Sequence, residues 1–252
     1  MNAYGKEKFK NDYQYSLKDY VYDFYVGMTA SMKSVFKDFQ ETITKQLSKM
    51  FPDELSVIHD MRRHFEISFL SVHFEDFCGI SKIFNVINHG DLWTNNIMIK
   101  YHGGDPIDVR FVDLQAIRLS SPASDLCYFI WMSTSPEVLL NHTEKILKIY
   151  YEEFSKTSVL YQTPLSYTFE DLKVEYKKFQ DVGFRLRFQQ LVLLNSQNTN
   201  PVETDATSFL DEGKSASTDI INAAEDLMRN VNNSIYYRMI ELCRFAKISD
   251  IF

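Results

Sequence analysis

Apolar residues recur at helical spacing from about Ser16 to Phe77: Val21, Phe24, Tyr25 and Met28, then Phe36, Phe39, Ile43 and Leu47, then Leu55, Ile58, Met61 and Phe65. The spacing predicts three helices, with a break and restart at Pro52 and Asp53 and only a mild interruption at Gly27. From Phe84 the period changes. "FNVI" is short and β-compatible, "NIMIKY" and "IDVRFVD" alternate as strands do, and the intervening "HGGDP" carries the Gly, Asp and Pro of a hairpin loop. No other stretch supports strands. Ser121 with Pro122, and Ser135 with Pro136, each read as an N-cap followed by Pro at the first helical position, and Thr168 opens a third, long helix. Between Asn195 and Ser217 the composition turns to Asn, Ser, Thr, Asp and Gly, which predicts a long surface loop. Helical patterning then returns from Ser217 to Phe245.

These elements predict a mostly α-helical α+β fold, read as a single domain over 1–252. A helical segment (1–83) leads to a loop and β-hairpin (84–116), and a helical region (117–252) follows. Composition agrees: 45% of the 252 residues are hydrophobic, enough for a sizeable core, and 20 Phe and 15 Tyr against 8 Gly favour helices with bulky packed faces. The formal charge of −7 argues against general affinity for nucleic acid or for an anionic membrane, both of which need a basic surface. A negatively charged substrate would need a metal ion or a local basic cluster. Cys78, Cys127 and Cys243 are odd in number and far apart, which suits buried free thiols rather than a disulfide framework or a zinc site. With no signal-peptide core and no apolar run approaching the roughly 18 residues of a membrane span, the expected location is the cytoplasm. The sequons at Asn141 and Asn232 then read as chance matches.

The candidate chemistry lies in "NHGDLWTNN", Asn88 to Asn96, and in Asp113 beyond the second predicted strand. A hairpin would return Asp113 to the end where Asn96 leaves, near Asp91. One amide and two carboxylates suit phosphoryl transfer from a nucleotide, which needs an acid to take or orient a hydroxyl proton and hard oxygens to hold Mg²⁺ on the phosphates. Other roles remain open: Asp91 and Asn96 also fit a turn in which side chains bond their own backbone, and Asp113 could simply end a strand. Asp125, in the first turn of a predicted helix, is favoured there by the helix dipole whatever the function. Trp93 fits a pocket wall or a cover over the loop, and Arg62 with Arg63 fits a solvated helix face.

"HGDLWTNN", "FVDLQ" and "SPASDLCYF" together resemble the catalytic half of the aminoglycoside phosphotransferase and choline kinase group. They are most similar to its ecdysteroid kinase-like branch, also called CHK kinase-like and found largely in insects. The resemblance is strong from Phe84 to about Ser133. It implies a protein kinase-like fold and transfer of the ATP γ-phosphate to a small-molecule alcohol, an ecdysteroid-like steroid among the candidates. It further implies Asp91 as catalytic base, Asn96 and Asp113 as cofactor-binding residues that ligate magnesium, His89 as a loop brace and Asp125 as a structural anchor of the loop. Gly90 where protein kinases carry Arg, and Leu114 and Gln115 after Asp113, favour a small-molecule kinase over a protein kinase.

Such a kinase also needs a glycine-rich loop over the phosphates, a strand Lys and a helix Glu. The glycines fall at 5, 27, 79, 90, 103, 104, 183 and 213, and no G-x-G occurs. The expectation is therefore a C-terminal lobe without its ATP-clamping lobe, through truncation, with little activity as this chain alone. The alternative is a non-catalytic, pseudokinase-like protein that binds a small apolar ligand.

Overall fold

The computed structural model describes residues 40–67, 77–163, 165–196 and 233–252. The first predicted helix, around Val21 to Met28, lies outside the described residues, as do most of the predicted loop of 195–217 and the stretch 217–232. Elsewhere the chain is mostly helical with two small antiparallel sheets, the α+β class expected. In chain order the elements are α1 (residues 40–50), a 3₁₀ turn Pro52–Glu54, α2 (Leu55–Ile67), β1 (Val86–Asn88), β2 (Ile97–His102), β3 (Asp105–Phe111) and β4 (Arg118–Ser120). Four helices follow: α3 (Pro122–Ser133), α4 (Pro136–Leu160), α5 (Phe169–Ser196) and α6 (Asn233–Ile248). Among the described residues no helix is long and apolar enough to cross a membrane.

The chain divides into two compact units, with the boundary at Gly183 inside α5. In the first, α3 lies against β1 and α4, and its core is built from Ile130, Trp131, Leu147, Leu172, Phe179 and their neighbours. The helices start where local chemistry dictates. Ser121 Oγ accepts the Ala123 N–H and Ser135 Oγ the Val138 N–H, each ahead of a Pro whose missing N–H costs nothing there. α5 opens with a reciprocal cap in which Thr168 Oγ1 accepts the Asp171 N–H and Asp171 Oδ2 accepts the Thr168 N–H.

The predicted hairpin is β2–β3. Its register runs Ile97↔Phe111, Met98↔Arg110, Ile99↔Val109, and it turns on Gly103 and Gly104, both at positive φ as a two-residue hairpin turn requires. A register irregularity at Lys100/Tyr101 accommodates Pro106, which such a strand tolerates because it sits on an edge. A second sheet, β1–β4, was not expected; it pairs Val86↔Ser120, Ile87↔Leu119 and Asn88↔Arg118. β1 starts later than "FNVI" suggests, because the Asn85 side chain closes a turn by accepting the Ser81 N–H and donating to the Ser81 carbonyl, while Phe84 stacks on Tyr167.

In the second unit α2 packs on α6, around Ile58, Met61, Phe65, Phe188, Met239, Ile240 and Cys243. Pro52 does break and restart the helix there. Arg244 and Lys247 pair with Glu54 and Asp60 on the exposed rim of this contact, where such pairs add little beyond the apolar packing.

Candidate active site

The loop between β1 and β2 carries the candidate residues, and α3 holds it. The Asp125 carboxylate accepts the His89 N–H at 2.5 Å and the Gly90 N–H at 3.0 Å, two backbone donors that would otherwise be buried without partners. On the other side of Gly90 its carbonyl accepts from Arg118 Nη1 at 2.8 Å. The backbone of Gly90 is thus gripped at both polar ends, at φ +87, and a Cβ there would meet the Ala116 carbonyl oxygen at 1.9 Å. Only glycine fits.

His89 is buried and bridges the loop to the end of the hairpin. Its Nε2 lies 2.8 Å from the Val112 carbonyl, which can only accept, so Nε2 carries the proton and Nδ1 is left to accept the Asp91 N–H at 3.3 Å. The ring also meets Phe111 edge-on. The carboxylate of Asp91 receives one donor on each oxygen: Tyr128 Oη on Oδ1 at 2.8 Å and Asn96 Nδ2 on Oδ2 at 3.0 Å. The same Asn96 Nδ2 donates to the Asp91 carbonyl at 2.8 Å, so both amide hydrogens close the loop on itself.

Asp113 stands two residues beyond β3, exposed and left-handed at φ 62, ψ 65. For a residue with a Cβ that conformation costs on the order of 1–2 kcal/mol, strain of the kind that tends to collect at functional positions. The hairpin brings it to the same end as Asn96: the Val112 N–H donates to the Asn96 carbonyl at 3.0 Å, next to the Val112 carbonyl that holds His89. Among the described residues Asp113 itself is bonded only by Gln115 Nε2 on Oδ2, at 3.3 Å.

The structure therefore joins Asp91, Asn96, His89 and Asp125 in one hydrogen-bonded set, with Asp113 tied in through the backbone of Val112. Mg²⁺ takes few protein ligands, commonly one or two carboxylates, with phosphates and water completing an octahedron. Asn96 Oδ1, which accepts nothing from the described residues, and the exposed Asp113 carboxylate are hard oxygens of that kind. Among the described residues no group of three or more His, Cys, Asp or Glu is arranged to hold a metal.

Three side chains around the loop were not singled out in the sequence. Arg118 is 2% exposed, lies over the Phe77 ring and donates to Gly90 and Ser124. Tyr128 is one helical turn after Asp125 and so shares its face of α3, a spacing visible in the sequence once Asp125 is known to face the loop. Glu175, buried on α5, accepts from Ser81 Oγ, Ser121 Oγ and Tyr167 Oη at 2.6, 2.7 and 2.7 Å. Nearby, burial pushes the Tyr150 phenol up to about 12, and the Asp125 charge adds to the shift.

Residues 3–162 match the Ecdysteroid kinase-like family. The chain belongs to that family. No match was found among curated proteins or among solved structures. Membership in the ecdysteroid kinase-like family implies a kinase-like phosphotransferase, use of ATP and magnesium, and a small-molecule substrate.

Proposed function

We propose that this protein contributes the large, C-terminal lobe of an ATP- and magnesium-dependent kinase that phosphorylates the hydroxyl of a small alcohol, with ecdysteroids the first class to test. The observation that carries the reading is the Asp91 carboxylate, held by one donor on each oxygen, on the loop whose Asn96 stands at the same end of the hairpin as the strained, exposed Asp113. In this reading residues 1–252 form one kinase-like domain.

Asp91 accepts the proton of the acceptor hydroxyl as that oxygen bonds the γ-phosphorus and ADP departs. Each of its oxygens has one lone pair engaged by Tyr128 or Asn96 and another free to face the acceptor. Asn96 Oδ1 and Asp113 hold magnesium, which when bound supplies the positive charge that an acidic chain lacks at the phosphates. His89 and Asp125 touch neither substrate. They fix the backbone from which Asp91 projects, which matters because phosphoryl transfer is accelerated almost wholly by positioning and electrostatics.

The test is ADP release by the full gene product with Mg·ATP and ecdysone. Asp91→Asn is expected to remove turnover by at least about 100-fold, within the usual range for loss of a general base. Turnover that survives Asp91→Asn, or that ignores magnesium, would sink the reading. The alternative reading is a non-catalytic protein that binds a small apolar ligand. That reading is identified by ecdysone raising the melting temperature with no dependence on nucleotide.

A further inference from the structure

We infer that Tyr128 is the positioning residue of the proposed base, holding the Asp91 carboxylate in one orientation through its hydroxyl. The inference rests on the reading of Asp91 given above and deepens it. A carboxylate on a loop has a broad, nearly two-fold freedom about its terminal torsion, so holding its plane takes a donor on each side. Asn96 supplies one, from within the same loop, and moves with it. Tyr128 supplies the other from α3, a helix whose residue one turn earlier, Asp125, already grips the loop backbone at His89 and Gly90.

The two contacts from α3 differ in consequence. Asp125 fixes where the loop lies, and its loss disturbs every residue on it. Tyr128 acts on the reacting side chain itself, through a hydroxyl that can be removed while the aromatic ring stays in place. Without that hydroxyl the carboxylate turns about its own axis and spends less time with a free lone pair toward the acceptor. Substrate affinity does not depend on that orientation, whereas the rate of the proton-transfer step does.

The experiment is Tyr128→Phe in the full gene product, compared with the natural sequence, Asp91→Asn and the double variant, by ADP release with Mg·ATP and ecdysone and by thermal unfolding. Tyr128→Phe is expected to lower kcat about 10-fold with the KM for ATP and for ecdysone unchanged, while the melting temperature moves by only a few degrees. In the Asp91→Asn background the same substitution is expected to change residual turnover no further, because the two groups act as one unit. An unchanged kcat in Tyr128→Phe, with Asp91→Asn inactive, overturns the inference and leaves the kinase reading standing. A rise in KM at constant kcat, or a further loss in the Asp91→Asn background, assigns Tyr128 to substrate binding or general structure and overturns it too. Full turnover in Asp91→Asn overturns both. If Tyr128→Phe does not fold, Tyr128→His, which returns an N–H donor to the same face of α3, is compared with Tyr128→Leu. Equal kcat in those two overturns the inference.

Discussion

At the scale of single residues, the loop is held by groups whose removal should have sharply different costs. Gly90→Ala places a methyl group 1.9 Å from the Ala116 carbonyl oxygen at φ +87, so the backbone of one segment or the other must move. The expected loss is about 3 kcal/mol, read as a melting temperature lower by roughly 10 °C. Gly103 supplies the control: it also has positive φ, but nothing lies within 4 Å of a Cβ there, and Gly103→Asn should cost under about 1 kcal/mol because Asn tolerates that conformation. Equal losses in the two variants would show that the collision at Gly90 is relieved cheaply. The identity of the loop residues was legible in the sequence because histidine, glycine, acid and amide stand in one short run. What holds them was not. Arg118, Tyr128 and Glu175 act across the fold, and a buried Arg bonding a carbonyl looks in sequence like any Arg in an apolar stretch.

At the scale of elements, the signals that could be read are the local ones. Ser121, Ser135 and Thr168 cap helices because their hydroxyls need only reach an N–H two or three residues on, and the hairpin needs only alternation and a Gly-Gly turn. Of the β1–β4 sheet only the first strand was legible, in "FNVI"; its pairing with β4 was not, because three-residue strands have no period of their own and these two are far apart in the chain. Ser121 belongs to both levels. It caps α3 and also donates to Glu175, which is 6% exposed and takes its three hydrogen bonds from hydroxyls. Ser121→Ala should therefore cost the cap, about 1 kcal/mol, and a further 1–2 kcal/mol or so for leaving a buried carboxylate short of a donor. Ser135→Ala removes only an exposed cap and should cost no more than about 1 kcal/mol. Denaturant midpoints of the two variants would separate the contributions, and equal shifts would mean that Glu175 finds water in place of Ser121.

At the scale of the whole chain, the buried acids that titrate late set an alkaline limit on stability. All three cysteines are free and buried, as their spacing suggested, with Cys78 and Cys127 in the first unit and Cys243 in the second. Burial raises each thiol above its ordinary 9.0, and it also raises Tyr150 from 10.0 to about 12. A group whose folded pKa is raised keeps its proton in the native state where the unfolded chain has already released it. Its contribution is complete below the unfolded value and drains away as pH climbs toward the folded one. Stability should thus fall from pH 9 upward, first through the thiols and then, between 10 and about 12, through Tyr150 as well, by at most about 1.4 kcal/mol per pH unit for each group. Denaturant melts under reducing conditions would show a midpoint that declines steadily over that range, and a flat midpoint up to pH 11 would refute it. Disulfide-exchange labelling gives the matching kinetic readout. Cys127 and Cys243 are 0% exposed and Cys78 is 9%, so the native protein should label slowly and at Cys78 first, while all three react at once in denaturant. Prompt native labelling of Cys127 or Cys243 would mean that the helices around them open far more readily than their packing implies.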